Sequence, residues 1–299
     1  MVRDQGIGRR IFVTTNYVFC FLVAASCMLP VIHILALSFS SKNEVFSGHV
    51  YFWPKGFTLD SYQIVVRDAQ FFVSYFVSIR RAILGLAVNL AMTVLAAYPL
   101  YLSRQRFPAR QFFVWFFLVT MFFNGGLIPT YLVVKSTGII DTMWALILPG
   151  AVPVFNIILM KNFMKNLPES LMESAFIDGA GHFTTLDRIM IPLCKASLAT
   201  IALFCILGHW NAWFDGMLYI KSASLKPLQT YLRSVIILND ARITEGEIAS
   251  TYLEEIMDNV TKDAADGAKI FLSLIPIFCI YPFLQKHFAK GIVLGSVKE

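Results

Sequence analysis

The sequence predicts an all-α polytopic membrane protein with six transmembrane helices. Of its 299 residues, 57% are apolar and only 15% are charged, whereas soluble domains are about half apolar and a quarter charged. The charges also leave long uncharged intervals, most of them near the roughly 20 residues that cross about 30 Å of hydrocarbon as a helix. These intervals are 11–41, 82–103, 111–134, 142–160, 196–214 and 270–285.

The first and last intervals need separate justification. The first follows Arg9 and Arg10, as a signal peptide would, but it is far longer than the apolar region of a signal peptide and lacks a small-residue cleavage site. It is therefore predicted to be a span. The last interval is short, and we expect Lys269 and Lys286 to extend it by reaching the two membrane interfaces.

Lysine and arginine are concentrated in alternate segments between the predicted spans. Because cytoplasmic loops are enriched in these residues, both termini and two loops are predicted to be cytoplasmic. This topology and contact with anionic lipid account for the net charge of +6, so no nucleic-acid partner is expected. The residues are Arg3, Arg9, Arg10, Arg104, Arg106, Arg110, Lys161, Lys165, Arg188, Lys195, Lys286, Lys290 and Lys298.

The chain shows no linker or second domain boundary, so 1–299 is predicted to be a single transmembrane domain. Within it, 161–195 is predicted to be a cytoplasmic loop, and 221–268 a long extracytoplasmic loop that is acidic in its second half. Four of the five cysteines fall inside predicted spans and Cys194 falls on the cytoplasmic side. This distribution predicts neither a disulfide framework nor a metal site.

The cytoplasmic loop contains a segment of mixed polarity between two apolar stretches, ESAFIDGAGHFTTLDRIMIPL at 173–193. Pro168 suits a first helical turn, where its missing N–H would have no partner. Glu173 near the helix start complements the helix dipole. Gly179 can end the helix by adopting a positive φ. About three turns of helix are therefore predicted, fixed at the base by apolar contacts of Ile189 and Ile191.

The spacing of this segment resembles the EAA loop of the permease subunits of binding-protein-dependent ABC importers. The resemblance implies a short helix that receives the motion of a separate ATPase subunit. Ser174 stands where Ala is usual and Ile191 where Leu is usual, and both keep the side chain small or aliphatic. An unrelated amphipathic loop would give a helix and a glycine stop, but not this spacing with proline at its end. The matching residues are Glu173, Ser174, Ala175, Asp178, Gly179, Ala180, Ile189 and Pro192.

Residues 122–164 and 281–299 resemble the carbohydrate-importer permeases of the maltose-permease class, especially its poly- and oligosaccharide branch. The resemblance implies a type I ABC importer transmembrane domain in the bacterial cytoplasmic (inner) membrane, which imports a saccharide by ATP-driven alternating access. It also implies a heterodimer with a second homologous permease, two ATPase subunits, and an extracytoplasmic solute-binding protein that meets the 221–268 loop. From its charge alone, that loop is equally compatible with a solvated loop that has no partner.

The chain is not predicted to be an enzyme. It contains no GxxxxGK[ST] loop and no Gly-Lys pair, so it has no recognisable site for ATP phosphates. No cofactor is expected on this chain, and ATP and Mg are expected on the partner ATPase.

Seven residues are candidates for the substrate pathway. Arg80 and Arg81 are predicted at the outer end of the second span, where they either reach the lipid headgroups or bind carboxylates of an acidic sugar such as alginate. Trp210, Asn211, Trp213 and Asp215 lie close together in the sequence. Their aromatic rings can stack on sugar rings while the amide and the carboxylate bond sugar hydroxyls, although Trp213 also fits an interfacial aromatic belt. Asn89, Asn156 and His209 are interpreted as contacts between helices. The other candidates are Asn124, Trp210, Asn211, Trp213 and Asp215.

Two other classes of membrane protein have different sequence requirements. A secondary transporter or channel would be expected to show inverted repeats and ion-coupling charges within its spans. An integral membrane enzyme would need a catalytic cluster, whereas the five histidines are scattered along the chain. The sequence therefore favours an ABC importer permease, with an ATPase-independent transporter as the alternative.

Overall fold

The computed structural model describes residues 6–235 and 264–282, and no strand occurs in these two ranges. The all-α class is therefore confirmed. Short 3₁₀ turns occur at Met143–Leu146, Leu148–Gly150 and Ala223–Leu225, and a π-helical turn occurs at Leu186–Met190. The α-helices are α1 Ile7–Ser38, α2 Lys42–Phe46, α3 Asp60–Arg67, α4 Ala69–Tyr101, α5 Arg110–Phe122, α6 Leu127–Ser136, α7 Val154–Lys165, α8 Glu169–Ile177, α9 His182–Thr185, α10 Ile191–Leu193, α11 Lys195–Asn211, α12 Phe214–Tyr219, α13 228–235 and α14 Ala264–Pro282.

In the described part of the chain, three helices are long and apolar enough to cross a membrane: α1, α4 and α14. Three further spans are bent pairs: α5 with α6 at 113°, Met143–Gly150 with α7 at 52°, and His182–Leu193 with α11 at 83°. The predicted number of six spans is reached when each bent pair counts as one.

The breaks within the bent spans follow from glycine and proline. Gly126, between α5 and α6, has φ of 89°, a conformation that glycine adopts without steric cost. Pro149 lies in the second 3₁₀ turn and Pro153 caps α7, and neither can donate a backbone hydrogen bond to a continuing helix. Uncharged intervals do not show such breaks, because glycine and proline interrupt the helix without interrupting the apolar run.

Two helices begin before the spans that the sequence predicts, and the limits of those spans in the membrane stay predictions. Helix α4 begins at Ala69, not near 82, so Arg80 and Arg81 lie inside the helix and not at its start. Its 33 residues correspond to about 50 Å, which exceeds the hydrocarbon thickness of about 30 Å. Helix α14 begins at Ala264, inside the predicted outer loop 221–268, and the extent of that loop outside the membrane stays a prediction. Charged residues mark the start of a helix poorly when they are paired inside the protein.

Contacts divide the chain into two compact units, Met1–Phe71 with Ser234–Leu274 and Phe72–Arg233 with Ile275–Glu299. In the first unit, Lys269 is 7% exposed. Its Nζ lies 2.9 Å from Asp68 Oδ2 and 3.6 Å from Asp266 Oδ1. The prediction that Lys269 reaches a membrane interface is therefore wrong, because two carboxylates hold its charge inside the protein.

The second unit has a buried apolar cluster that joins the end of α4 to α7, the 169–194 region and α11. Ile157, Met160 and Met164 of α7 are fully buried at its centre. This packing connects the predicted cytoplasmic loop directly to three span helices. The other buried members are Val94, Ala97, Tyr98, Leu100, Tyr101, Leu102, Met172, Leu186, Met190, Cys194, Ile201 and Cys205.

Some predictions fall on residues outside the described ranges. They concern Arg3, the acidic part of the outer loop at 236–263, and the tail at 283–299 with Lys286, Lys290 and Lys298. They stay predictions, as does the assignment of the whole chain to one transmembrane domain.

Candidate functional site

Helix α8 ends as the sequence predicts. Gly179 has φ of 81°, and its N–H donates to the Phe176 carbonyl at 3.1 Å. The Ala180 N–H donates to the Ala175 carbonyl at 2.9 Å. This pair of bonds is the Schellman motif, which satisfies helix carbonyls that would otherwise lack partners. The helix has 9 residues, or about two and a half turns, slightly fewer than predicted.

The two faces of α8 differ sharply in exposure. Met172 and Ala175 are each 6% exposed and pack into the second unit. Glu173 and Ser174 lie on the exposed side, and Ile177 at the helix end is 85% exposed. Helix α8 is therefore fixed by one narrow apolar stripe and presents the rest of its surface.

The base of the segment is fixed by two residues in addition to those predicted. Leu186 and Met190 are 6% and 2% exposed, and they lie four residues apart, which places them on one helix face. Ile189 is only half-buried and Ile191 packs at the edge of the apolar cluster. Ile191 therefore contributes to the base as predicted, and Leu186 and Met190 are added as its more deeply buried contacts. Pro192 lies within α10, just before the 83° bend into α11.

Arg81 forms a buried ion pair with Asp215. Its side chain is 3% exposed while that of Asp215 is 28% exposed. Nη1 donates to Asp215 Oδ1 at 3.1 Å and Nη2 donates to the other carboxylate oxygen. The guanidinium also donates to the carbonyls of Ala212 and Leu146, each at 3.3 Å. Both carbonyls lie where a helix is interrupted, so Arg81 replaces backbone bonds that the interruptions remove.

Two turns after Arg81 on α4, Asn89 also binds backbone carbonyls where a helix is interrupted. Asn89 Nδ2 donates to the carbonyls of Gly150 and Ala151 at 2.7 and 3.2 Å. Its Oδ1 lies 2.6 Å from His209 Nε2 of α11. Gly85 makes room for this imidazole, because a Cβ at that position would overlap the ring. Asn89 and His209 thus join helices, as the sequence interpretation proposed.

The Arg81–Asp215 pair and the Asn89–His209 contact line one cavity of about 450 Å³. We call Arg81, Asn89, His209 and Asp215 the polar cluster. The cavity offers hydrogen-bonding groups on a largely apolar wall, an arrangement typical of small-molecule sites. The cavity is also lined by Asn156, Cys205, Phe204, Tyr219 and prolines 149 and 153. Among the described residues, no group of three or more His, Cys, Asp or Glu side chains could hold a metal ion.

The other predicted pathway residues do not join the polar cluster. Arg80 is exposed, although it is adjacent to Arg81 in sequence. Asn124 is exposed and its Oδ1 accepts from the Gly126 N–H at 2.9 Å, which stabilises the break before α6. Asn211 is exposed at the end of α11.

The two tryptophans pack against aromatic and cationic neighbours. Trp210 is 3% exposed, and its ring meets Tyr75 edge-on with centroids 5.8 Å apart. The Arg233 guanidinium lies 3.8 Å from the Trp213 ring centroid, a favourable cation–π geometry. Neither ring lines the cavity of the polar cluster.

One structural carboxylate was missed by sequence reasoning. Asp141 has φ of 61°, and its Oδ1 accepts from the N–H groups of Lys221 and Ser222, each at 2.9 Å. The Ser222 hydroxyl donates to Oδ2. The hydrogen bonds from Ser222, followed by that from Lys221, hold the pKa of Asp141 below its usual range. The partners are 80 and 81 residues away, so no local pattern could have shown them.

Comparison with known proteins relates the chain to membrane transport components. Residues 70–223, about half the chain, match the family described as binding-protein-dependent transport system inner membrane component. The chain is 42% identical over 289 residues to Protein LplC of Bacillus subtilis (strain 168), covering 97% of this chain and 95% of that protein. It is 38% identical to YtcP of the same organism, a polygalacturonan/rhamnogalacturonan transport system permease, covering 97% and 99%.

A solved structure agrees in fold as well as sequence. It is a bacterial ABC transporter involved in the import of the acidic polysaccharide alginate, with 31% identity, a TM-score of 0.84, and coverage of 96% of this chain and 100% of that chain. The chain therefore belongs to the inner membrane permeases of binding-protein-dependent ABC transporters, multi-pass transport components without a catalytic role.

Proposed function

We propose that this chain imports an oligo- or polysaccharide by alternating access, driven by ATPase subunits that bind the coupling segment, defined as residues 169–194. ATP binding closes the two ATPases, and their movement carries the coupling segment and then the spans from inward-open to outward-open. An extracytoplasmic binding protein delivers the sugar and hydrolysis resets the cycle. A second homologous permease completes the pore, and both termini of this chain lie in the cytoplasm.

The observation that carries this proposal is the surface of the coupling segment. Ile177 and Phe183, on either side of the Gly179 turn, are 85% and 81% exposed. Meanwhile Met172, Leu186 and Met190 anchor the same segment in the apolar cluster. A segment with a rigid base and an exposed apolar tip can transmit force to the spans, whereas a flexible loop would absorb it.

Site-specific photo-cross-linking of the assembled transporter tests the proposal. A photoreactive phenylalanine analogue at Ile177 is expected to cross-link to an ATPase subunit. The matched control is the same analogue at Trp53, which is 82% exposed and, because it follows the first span from a cytoplasmic N-terminus, is expected on the outer side. An absent ATPase cross-link from position 177, or an equal one from position 53, would contradict the proposal.

We propose further that the saccharide is acidic. Support comes from the relative named for polygalacturonan and rhamnogalacturonan and from the alginate transporter structure, since alginate and polygalacturonan both carry carboxylates. The geometry favours Arg80 over Arg81 as the carboxylate ligand. Arg80 is exposed, whereas Asp215 already neutralises Arg81.

Arg80→Gln tests whether Arg80 binds the carboxylates of the sugar, and it leaves the buried Arg81–Asp215 ion pair in place. Reconstituted transporter carrying Arg80→Gln is expected to lose uptake of uronate oligomers while retaining any uptake of neutral oligomers of equal length. Equal loss for both sugars, or loss for neither, would reject a role for Arg80 in recognising the acidic sugar.

A further inference from the structure

We propose that Tyr98 and His182 form the joint through which the coupling segment moves α4. This inference rests on the proposed coupling function and deepens it, because it names the side chains that connect the segment to a span. Tyr98 lies in the last turns of α4, and His182 begins α9, directly after the turn at Gly179.

The two side chains share a specific polar contact. The Tyr98 hydroxyl lies 3.1 Å from His182 Nδ1. The rings meet edge-on, with centroids 6.0 Å apart and planes at 72°. Tyr98 is 5% exposed while His182 is exposed, so the contact links the protein interior to the accessible surface of the coupling segment. Its burial on the tyrosine side makes loss of the hydroxyl's partner costly.

Two further contacts bring α8 into the same joint. The Phe176 ring meets the His182 imidazole edge-on, with centroids 5.1 Å apart. The Arg106 guanidinium lies 4.4 Å from the Phe176 ring centroid. His182 is therefore held between Tyr98 of α4 and Phe176 of α8, and Arg106 extends the contact to the chain that leaves α4. Displacement of α8 or α9 pushes on α4 through these side chains.

Helix α4 can carry that displacement to the polar cluster. It is one continuous helix from Ala69 to Tyr101. Asn89 and Arg81 lie 9 and 17 residues before Tyr98, or about 13 and 25 Å along the axis. Asn89 and Arg81 bind the carbonyls of the interrupted spans, so a shift of α4 alters the support of those interruptions. The joint and the polar cluster are thus two ends of one mechanical element.

Pro99 weakens the backbone bonding of α4 next to Tyr98, which increases the importance of the Tyr98–His182 contact. Proline inside a helix removes one backbone hydrogen bond and weakens the turn around it. Pro99 follows Tyr98 directly inside α4, so backbone bonding alone supports the last turn of α4 poorly. The side-chain contact to His182 supplies an attachment in the turn that lacks this backbone hydrogen bond.

Tyr98→Phe and His182→Ala test the joint in the complete transporter with its ATPases and binding protein. Tyr101→Phe is the matched control, because it also removes the hydroxyl of a buried tyrosine of α4, and among the described residues the structure shows no side-chain hydrogen bond for Tyr101. The measurement is sugar imported per ATP hydrolysed, normalised to assembled complex. Loss of one hydrogen bond predicts a fall of about two- to tenfold for each variant, and no change for Tyr101→Phe.

Further variants separate coupling from general stability. The double variant should lose no more than the larger single loss, because both changes break one contact. His182→Asn, which keeps an acceptor near the Nδ1 position, should restore part of the ratio. Additive losses, or a ratio unchanged in both single variants while wild type is stimulated by the binding protein, would overturn the joint alone. Wild-type complex that shows no stimulation would overturn the proposed function and the joint together.

Discussion

The coupling segment and the polar cluster lie in the same unit but are held by different forces. The coupling segment depends on apolar side chains that pack into the cluster it shares with α4, α7 and α11, together with a glycine turn closed by neighbouring residues. The polar cluster depends on hydrogen bonds between residues 61 to 134 positions apart. Apolar packing tolerates small changes of shape, whereas a buried polar group without its partner is costly.

This difference predicts where substitutions do most harm. In the polar cluster a single change should destabilise the fold. In the coupling segment a single change should leave the fold intact and alter the response to the ATPase.

Asp215→Asn should cause the largest loss, because it leaves the buried Arg81 charge without its counter-ion. Removing one partner of a buried pair costs about 3–5 kcal/mol, and we expect the lower end because Asp215 is partly exposed. Thermal unfolding of the purified protein in detergent measures the change. Arg80→Gln, an exposed neighbour, should change the free energy of unfolding by less than about 0.5 kcal/mol. Similar effects of the two variants would show that the pair contributes little.

Gly85→Ala should destabilise by about 1–3 kcal/mol, the usual cost of overpacking. The added Cβ overlaps His209 and forces its ring away from Asn89. Gly208→Ala is the matched control, since a Cβ there meets nothing within 4 Å inside α11. That control should stabilise the helix by about 0.5–1 kcal/mol. Opposite signs in the same unfolding assay support tight packing at Gly85, and equal signs contradict it.

Gly179→Ala should impair coupling more than folding. A side chain at φ of 81° costs about 1–2 kcal/mol, which distorts the end of α8 but leaves the spans intact. Membrane insertion should be normal while ATPase stimulation by the loaded binding protein falls. Gly181→Ala has the ordinary φ of −74° and no neighbour within 4 Å of its Cβ, so stimulation should be nearly normal. Equal stimulation in both variants would argue against a role for this turn.

The smallest expected effect is a change in how stability depends on pH under acidic conditions. Because hydrogen bonds lower the pKa of folded Asp141, its stabilising contribution is present above the unfolded carboxyl pKa of about 4. That contribution is lost as pH falls through the lower folded value. Thermal unfolding from pH 6 down to about pH 3 should therefore show a smaller acid-induced loss for Asp141→Asn than for wild type. Asparagine also tolerates the positive φ at this position. Parallel pH profiles would contradict the lowered pKa.

Much of the fold and of the coupling segment could be read from the sequence. Span number followed from uncharged apolar runs, and the end of α8 followed from Gly179. Leu186 and Met190, which also fix the base, were missed because no local pattern shows which side chains of this segment meet the apolar cluster shared with α4, α7 and α11. The Arg81–Asp215 pair was missed because it depends on tertiary placement. Local rules predict helices and their ends, but not which distant carboxylate neutralises a charge.

The length of α4 has a consequence for how the protein sits in lipid. A helix of 33 residues is about 20 Å longer than the hydrocarbon layer, so it must tilt, project into water, or do both. Positions near its two ends should then react with water-soluble thiol reagents when replaced by cysteine, while those between them stay protected. The length of the protected stretch would report the tilt of the helix. A change in the ends of this stretch when ATP binds would measure how far α4 moves during the transport cycle.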